Sequence, residues 1–248
     1  MFDYQTITII LITFLIAGTV KGTIGLGLPT TSLVLLTLSI NLPSAMALLL
    51  VPSLITNIWQ AFTGSRGLEI IKRFWLFFLV SILCVWPGAI ILSVISIKYS
   101  SGLLGLLLML YASFSLGKKR YSINSNNEKL FGVGSGIING AVTGMTGSFI
   151  FPGVLFLNSV GLQKEKLFQA MGILFTLSTI SLAFALNQVD LLNLKQTTWS
   201  SIATIPAIVG MLLGNQLRKK ISEKLFQTIF LITIFVIGSY LFSQLIVG

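Results

Sequence analysis

The stretch GTVKGTIGLGLP, residues 18–29, sets one lysine among four glycines in sequence that otherwise has the character of a membrane span. Whether lipid, a turn or a ligand explains Lys21 decides how the rest is read, because almost everything around it is apolar.

Of 248 residues, 54% are hydrophobic and 9% are charged, against about 25% charged in a soluble domain. Such a chain has too little polar surface to face water on all sides. Apolar runs near the roughly 20 residues that a bilayer core demands recur at 42–63, 74–97, 101–117, 167–187, 198–217 and 225–247. The chain reads as an all-α polytopic membrane protein, one transmembrane domain over residues 1–248, with the lipid bilayer around it. Two further segments, 6–40 and 131–161, are longer, glycine-rich and interrupted by Pro29 and Pro152. The leading MFDYQTITII carries an acid and no basic cluster, unlike a cleaved secretory signal. Cys84, the single cysteine, lies among Leu, Val and Trp and reads as a small buried hydrophobe. The net charge of +10 does not imply nucleic acid, since membrane topology accounts for it.

The chain repeats itself. GTVKGTIG from Gly18 is matched by GAVTGMTG from Gly140, an offset of 122 residues (140 minus 18). A proline and an apolar run follow each tract. Then AMALLLVPSLI is answered by AMGILFTLSTI, and WPGAIILSVI by IVGMLLGNQL. Weak internal repetition of this kind marks secondary transporters. The repeats span about 5–117 and 131–247, joined by a basic loop at 118–130.

Basic residues near span ends favour the cytoplasm, so they report on topology. If each glycine segment crosses once, the cations split eight against seven and show no bias. If each is a hairpin returning to its own side, one face collects Arg66, Lys72, Arg73, Lys118, Lys119, Arg120, Lys129, Lys164, Lys166, Arg218, Lys219, Lys220 and Lys224. Only Lys98 and Lys195 fall opposite, thirteen against two. The second arrangement makes the halves two inverted repeats, each a glycine-rich broken-helix hairpin followed by three transmembrane helices. It puts both termini outside and the central loop inside. A first arm over residues 6–20 would reach only about 22 Å of a core near 30 Å, so dipping or strongly tilted arms are expected.

Broken backbone within a bilayer is tolerated only against protein or a watery cavity. Glycine permits the turn and brings amides close to a ligand, and a half-helix N-terminus suits an anion. In an inverted pair the two tips are expected to meet near the midplane. Lys21 at such a tip costs on the order of 3 kcal/mol to insert. All six acids (Asp3, Glu69, Glu128, Glu165, Asp190, Glu223) lie at span ends or in loops, so none offsets it. The lysine therefore reads as part of an anion site with the tip residues Gly22, Thr23, Gly25 and Gly27. The second tip offers Asn139, Thr143, Gly144, Thr146, Gly147 and Ser148. Hydroxyls there donate to an anion without adding charge, or simply join helices. Ser53, Asn57 and Gln60 share one helical face, and Asn57 and Gln60 are expected to line the path. Ser178 and Ser181 stand on the matching helix, and Pro52 reads as a kink.

Histidine is absent and cysteine single. Neither a metal site, nor a proton relay of carboxylates or imidazoles, nor catalytic acid–base or nucleophilic chemistry has its usual material. No cofactor and no catalytic residue is expected.

The paired tracts GTVKGTIGLGLPTTSLVLL and GAVTGMTGSFIFPGVLFL, each followed by AM and a polar helix, resemble the sulfite exporter TauE/SafE family of bacterial membrane transporters. LLVPSLITNIWQ, residues 49–60, is a further local match. The resemblance covers essentially the whole chain. It implies movement, usually export, of small sulfur-containing anions such as sulfite or organosulfonates across the bacterial inner membrane. The family's glycine-tract positions fall on Gly18, Gly22, Gly25, Gly27 and Pro29, and on Gly140, Gly144, Gly147 and Pro152. The second tract departs from the pattern at GSFIFP, where Phe149 and Phe151 narrow the tip. Import, a carboxylate substrate, an anion channel, and a non-transporting accessory role in sulfur metabolism stay open as alternatives. Oligomeric state is not readable here.

Overall fold

The computed structural model describes residues 3–117 and 122–247; the basic run Lys118, Lys119 and Arg120 lies outside them. Among the described residues the structure is helical, with no strand. The first half holds α1 (Tyr4–Ile24), α2 (Leu28–Thr37), α3 (Leu42–Phe62), α4 (Gly67–Val94) and α5 (Ile97–Leu116). After a 3-10 turn at Ser125–Asn127 come α6 (Glu128–Thr146), α7 (Gly153–Ser159), α8 (Lys164–Gln188), α9 (Leu194–Leu217) and α10 (Glu223–Val247). Seven of these, α1, α3, α4, α5, α8, α9 and α10, are long and apolar enough to cross a membrane. Six coincide with the apolar runs read from the sequence. Several begin earlier, in charged residues: α4 takes in Arg73 before bending at Phe74 (φ −111°, ψ 20°).

Each glycine-rich segment is a long helix, a break and a short helix. α1 stops at Gly25 (φ 79°) and α6 at Gly147 (φ 73°). Both glycines take the left-handed conformation that a side chain resists. Each donates its amide four residues back, Gly25 to Lys21 O and Gly147 to Thr143 O, both at 2.8 Å.

The first arm is longer than the stretch 6–20 read from the sequence. α1 has 21 residues, about 32 Å of helix, enough to cross. Gly18 and Gly22 do not break it because another backbone lies where their side chains would be. A Cβ on Gly18 would sit 2.1 Å from Ala207 O, and one on Gly22 would sit 2.2 Å from Met211 O. α9 returns the contact: Gly210 lies on Leu15 O and Gly214 on Thr19 O. This is close packing of small residues spaced four apart. α6 packs on α4 in the same way, with Gly136, Gly140 and Gly144 against the carbonyls of Phe77, Ser81 and Val85.

The residue numbers in these contacts give the helix directions. Along α1 and α9, and along α4 and α6, partners rise together, so each pair is parallel. α9 also runs parallel to α3, through Gln196 to Ser44 and Ser200 to Leu48. α8 runs parallel to α4, through Gln169 to Arg66 and Ser181 to Ile82. α3 and α8 are antiparallel, since Gly172 meets Gln60 while Gln169 reaches Gly64. Thus α1, α3 and α9 point one way and α4, α6 and α8 the other. α5 and α10 form an antiparallel pair through Gly105 and Gly238.

The five ion pairs among the described residues share one face. Glu69 holds Lys166 at 2.7 Å and Arg66 at 3.3 Å; Glu128 holds Arg73 at 2.6 Å; Glu223 holds Lys164 at 2.9 Å and Arg218 at 3.4 Å. They tie together the starts of α4, α6, α8 and α10.

Candidate functional site

Lys21 lies in the last turn of α1 and is 4% exposed. Among the described residues no carboxylate reaches it. Its ammonium instead donates to Asn57 Oδ1 and, at 3.2 Å, to Thr56 Oγ1, both on α3. The C-terminal end of a helix favours a cation, so the end of α1 supplies part of the compensation. Thr56 in turn donates to Pro52 O at 2.8 Å. Asn57, Gln60 and Ser53 are all fully buried. Gln60 Nε2 donates to Phe168 O at 2.9 Å. Asn57 Nδ2, Gln60 Oε1 and Ser53 Oγ have no partner among the described residues. A buried polar atom left unpaired costs about 1–3 kcal/mol, and here three occur on one face of one helix beside a buried cation.

The rest of the first tract divides by direction. Gly22 faces α9, and Thr23 donates to Thr19 O and Gly214 O at 2.8 and 3.3 Å. Both serve the α1–α9 contact. Gly25 and Gly27 form the break, where the Phe168 ring covers Gly25 and the Phe230 ring covers Gly27. α2 then opens on Gly27 with no side-chain cap on its first amides.

The second tract is bonded mostly to itself. Asn139 Oδ1 accepts the Gly153 N–H at 3.1 Å, and Thr143 donates to Ser148 O at 2.9 Å. Thr146 donates to Val142 O and accepts the Ser148 N–H. Gly144 lies against α4 and Gly147 against Met46. Asn139 Nδ2 and Ser148 Oγ remain without a partner among the described residues. Phe149 packs by Phe175, and Phe151 stacks on Phe114.

The two tips do not meet as expected. The first lies at Asn57 and the second at Met46, 11 residues apart on α3, or about 16 Å along its axis. The reason is the length of α1 and α6: each runs on past its glycines to opposite ends of α3. Asn139, Thr143, Gly144, Thr146, Gly147 and Ser148 therefore form a separate cluster from Lys21 and Asn57. Thr56 was missed at the sequence level, although it adjoins Asn57 in a stripe already read as polar. Gln169 was missed too; it bonds to Ala61 O, Gly64 O and the Arg66 N–H at the α3–α4 turn.

Glycine tracts in this order, a bundle of apolar helices and a buried cation with no acid partner make a coherent whole. A family model described as sulfite exporter TauE/SafE matches residues 10–241. The chain belongs to the sulfite exporter TauE/SafE family. No curated protein and no solved structure matches it. Membership of this family makes the chain a membrane transport protein, in keeping with its seven span-length helices.

Proposed function

We propose that this TauE/SafE protein carries a small sulfur-containing oxyanion, sulfite or an organosulfonate, outward across the bacterial inner membrane. The observation that carries the reading is Lys21: a buried cation whose side-chain partners, among the described residues, are a neutral amide and a hydroxyl. An anion neutralises it at the moment of binding. Asn57 Nδ2 shares its amide carbon with the oxygen that already touches Lys21. Two oxygens of one oxyanion thus accept from the lysine and the amide together, and the unpaired Nδ2 gains a partner. Charge-assisted bonds of this kind are about twice as strong as neutral ones. Asn139, Thr143, Thr146 and Ser148 are proposed as a second, uncharged station at the other break, with Ser53 between the two and Gln60 on the far side of Asn57.

We read the fold as two inverted repeats, about 5–117 and 131–247, with both termini outside and the basic loop 118–130 in the cytoplasm. The opposed directions of α1 and α6 support this, as does the gathering of the described ion pairs on the face that also holds most of the cations. Outward direction rests on the family description.

The test is sulfite efflux from proteoliposomes, comparing wild type with Lys21→Gln and using sulfate and a carboxylate as competitors. Saturable sulfite flux that collapses in a folded Lys21→Gln protein is the expected result. Flux indifferent to the substitution removes the lysine from the site. Flux of the carboxylate in preference to sulfite moves the substrate class.

A further inference from the structure

The site requires α3 to present Asn57 and Thr56 at the height of Lys21, yet α3 is interrupted just before them by Pro52. Proline has no amide hydrogen, so the carbonyl of Leu48, four residues earlier, loses its place in the helix ladder. Inside a bilayer such a carbonyl needs another donor. Ser200 of α9 is that donor: its Oγ gives a hydrogen bond to Leu48 O at 2.7 Å and accepts the Val51 N–H at 3.0 Å. Ser200 is fully buried. One turn away, Gln196 of α9 also holds α3, donating to Ser44 Oγ at 3.2 Å. Beyond Pro52 the polar face of α3 begins.

We propose that Ser200 is a positioning residue for the anion site. Its hydroxyl fills the gap that Pro52 opens and so fixes the direction of the half of α3 that carries Thr56 and Asn57. α9 is also the helix on which α1 packs through Gly18 and Gly22. It therefore holds both partners of the site at once, Lys21 through the glycine contacts and Asn57 through Ser200. Without the hydroxyl, Leu48 O is left without the donor that Pro52 denies it and Val51 N–H loses its contact with α9, and the C-terminal half of α3 is free to turn about Pro52. The functional half of this proposal rests on the anion reading of Lys21; the structural half does not.

Four full-length proteins test it: wild type, Ser200→Ala, Pro52→Ala and the double variant. Backbone amide exchange over residues 48–60, measured with no anion present, reads the local fixing of α3. The KM and Vmax of sulfite flux read the site. Ser200→Ala is expected to speed exchange and to raise KM roughly tenfold, the worth of one good hydrogen bond, with Vmax little changed. Pro52→Ala restores an amide for Leu48 O, so adding Ser200→Ala to it should change neither readout further. Ser200→Thr, which keeps the hydroxyl, should behave as wild type. If Ser200→Ala alone does not fold, the double variant is expected to fold, and its failure to do so overturns the proposal. Equal exchange effects of Ser200→Ala in both backgrounds also overturn it. Coupled exchange with an unchanged KM removes Ser200 from the site. Wild type without saturable sulfite flux sinks the anion reading, and the exchange arms still decide the role of Ser200.

Discussion

Gly22 on α1 and Met211 on α9 meet backbone to backbone, with 2.2 Å between a Cβ built on the glycine and the methionine carbonyl oxygen. No side chain fits that space without parting the helices. Gly22→Ala should therefore act on folding, destabilising by about 1–3 kcal/mol. Gly134, with nothing within 4 Å of its Cβ position, should accept alanine without loss. Thermal unfolding of the two purified variants, beside the yield of monodisperse protein, checks the contrast.

Lys21→Met should separate stability from transport. Removing a buried cation removes its desolvation cost, and methionine fills a similar volume. The variant is expected to unfold at the wild-type temperature or above while losing sulfite flux. Normal transport by the Lys21→Met protein would show that the charge has no part in binding.

Asn57→Asp supplies Lys21 with an internal counter-ion. The pair would then be neutral before any substrate arrives, so anion affinity should fall at least tenfold, or about 1.4 kcal/mol. Asn57→Leu, which removes the amide without adding charge, should cost less. Flux titrations of the two variants distinguish an anion site from a helix-joining hydrogen bond, which Asn57→Asp would keep and only Asn57→Leu would break.

The charge distribution predicts sidedness. In a Cys84→Ser background, Asn193→Cys should react from outside with a membrane-impermeant thiol reagent, and Asn124→Cys only after permeabilisation. Reaction of both from one side would overturn the parity read from the basic residues.

Glu69 bridges Arg66 and Lys166 at the surface, and its side chain is half exposed. Exposed pairs contribute about 0–1 kcal/mol each and are screened by salt. Glu69→Gln should thus lower stability only slightly, with the difference shrinking as salt is added. Unfolding midpoints at low and high ionic strength measure it.

Six of the seven span-length helices are legible as apolar runs, because lipid demands uninterrupted hydrophobicity along a helix. The end of α1 was harder to read. Gly18 and Gly22 suggest a break when considered alone, and only their spacing together with Gly210 and Gly214 reveals a packed stripe. That signal was present, since each pair stands at an interval of four. The burial of Lys21 followed from the scarcity of charge; its bond to Asn57 did not, because it depends on how α1 sits against α3. The distance between the two tips did not, because it depends on where α1 and α6 end relative to α3. Ser200 could not be singled out at all. A serine among several in α9 becomes particular only when Pro52 is found beside it.

In three glycine-lined contacts the partners come from different halves of the chain, α1 with α9, α4 with α6 and α5 with α10. The molecule is thus not two bundles laid side by side but a mutual exchange, in which each half completes the other. A half made alone would leave these smooth stripes turned to lipid, and the surface shaped to cover them would be a second copy of the same kind. A chain cut in the central loop should therefore work as two co-expressed pieces and fail as either one.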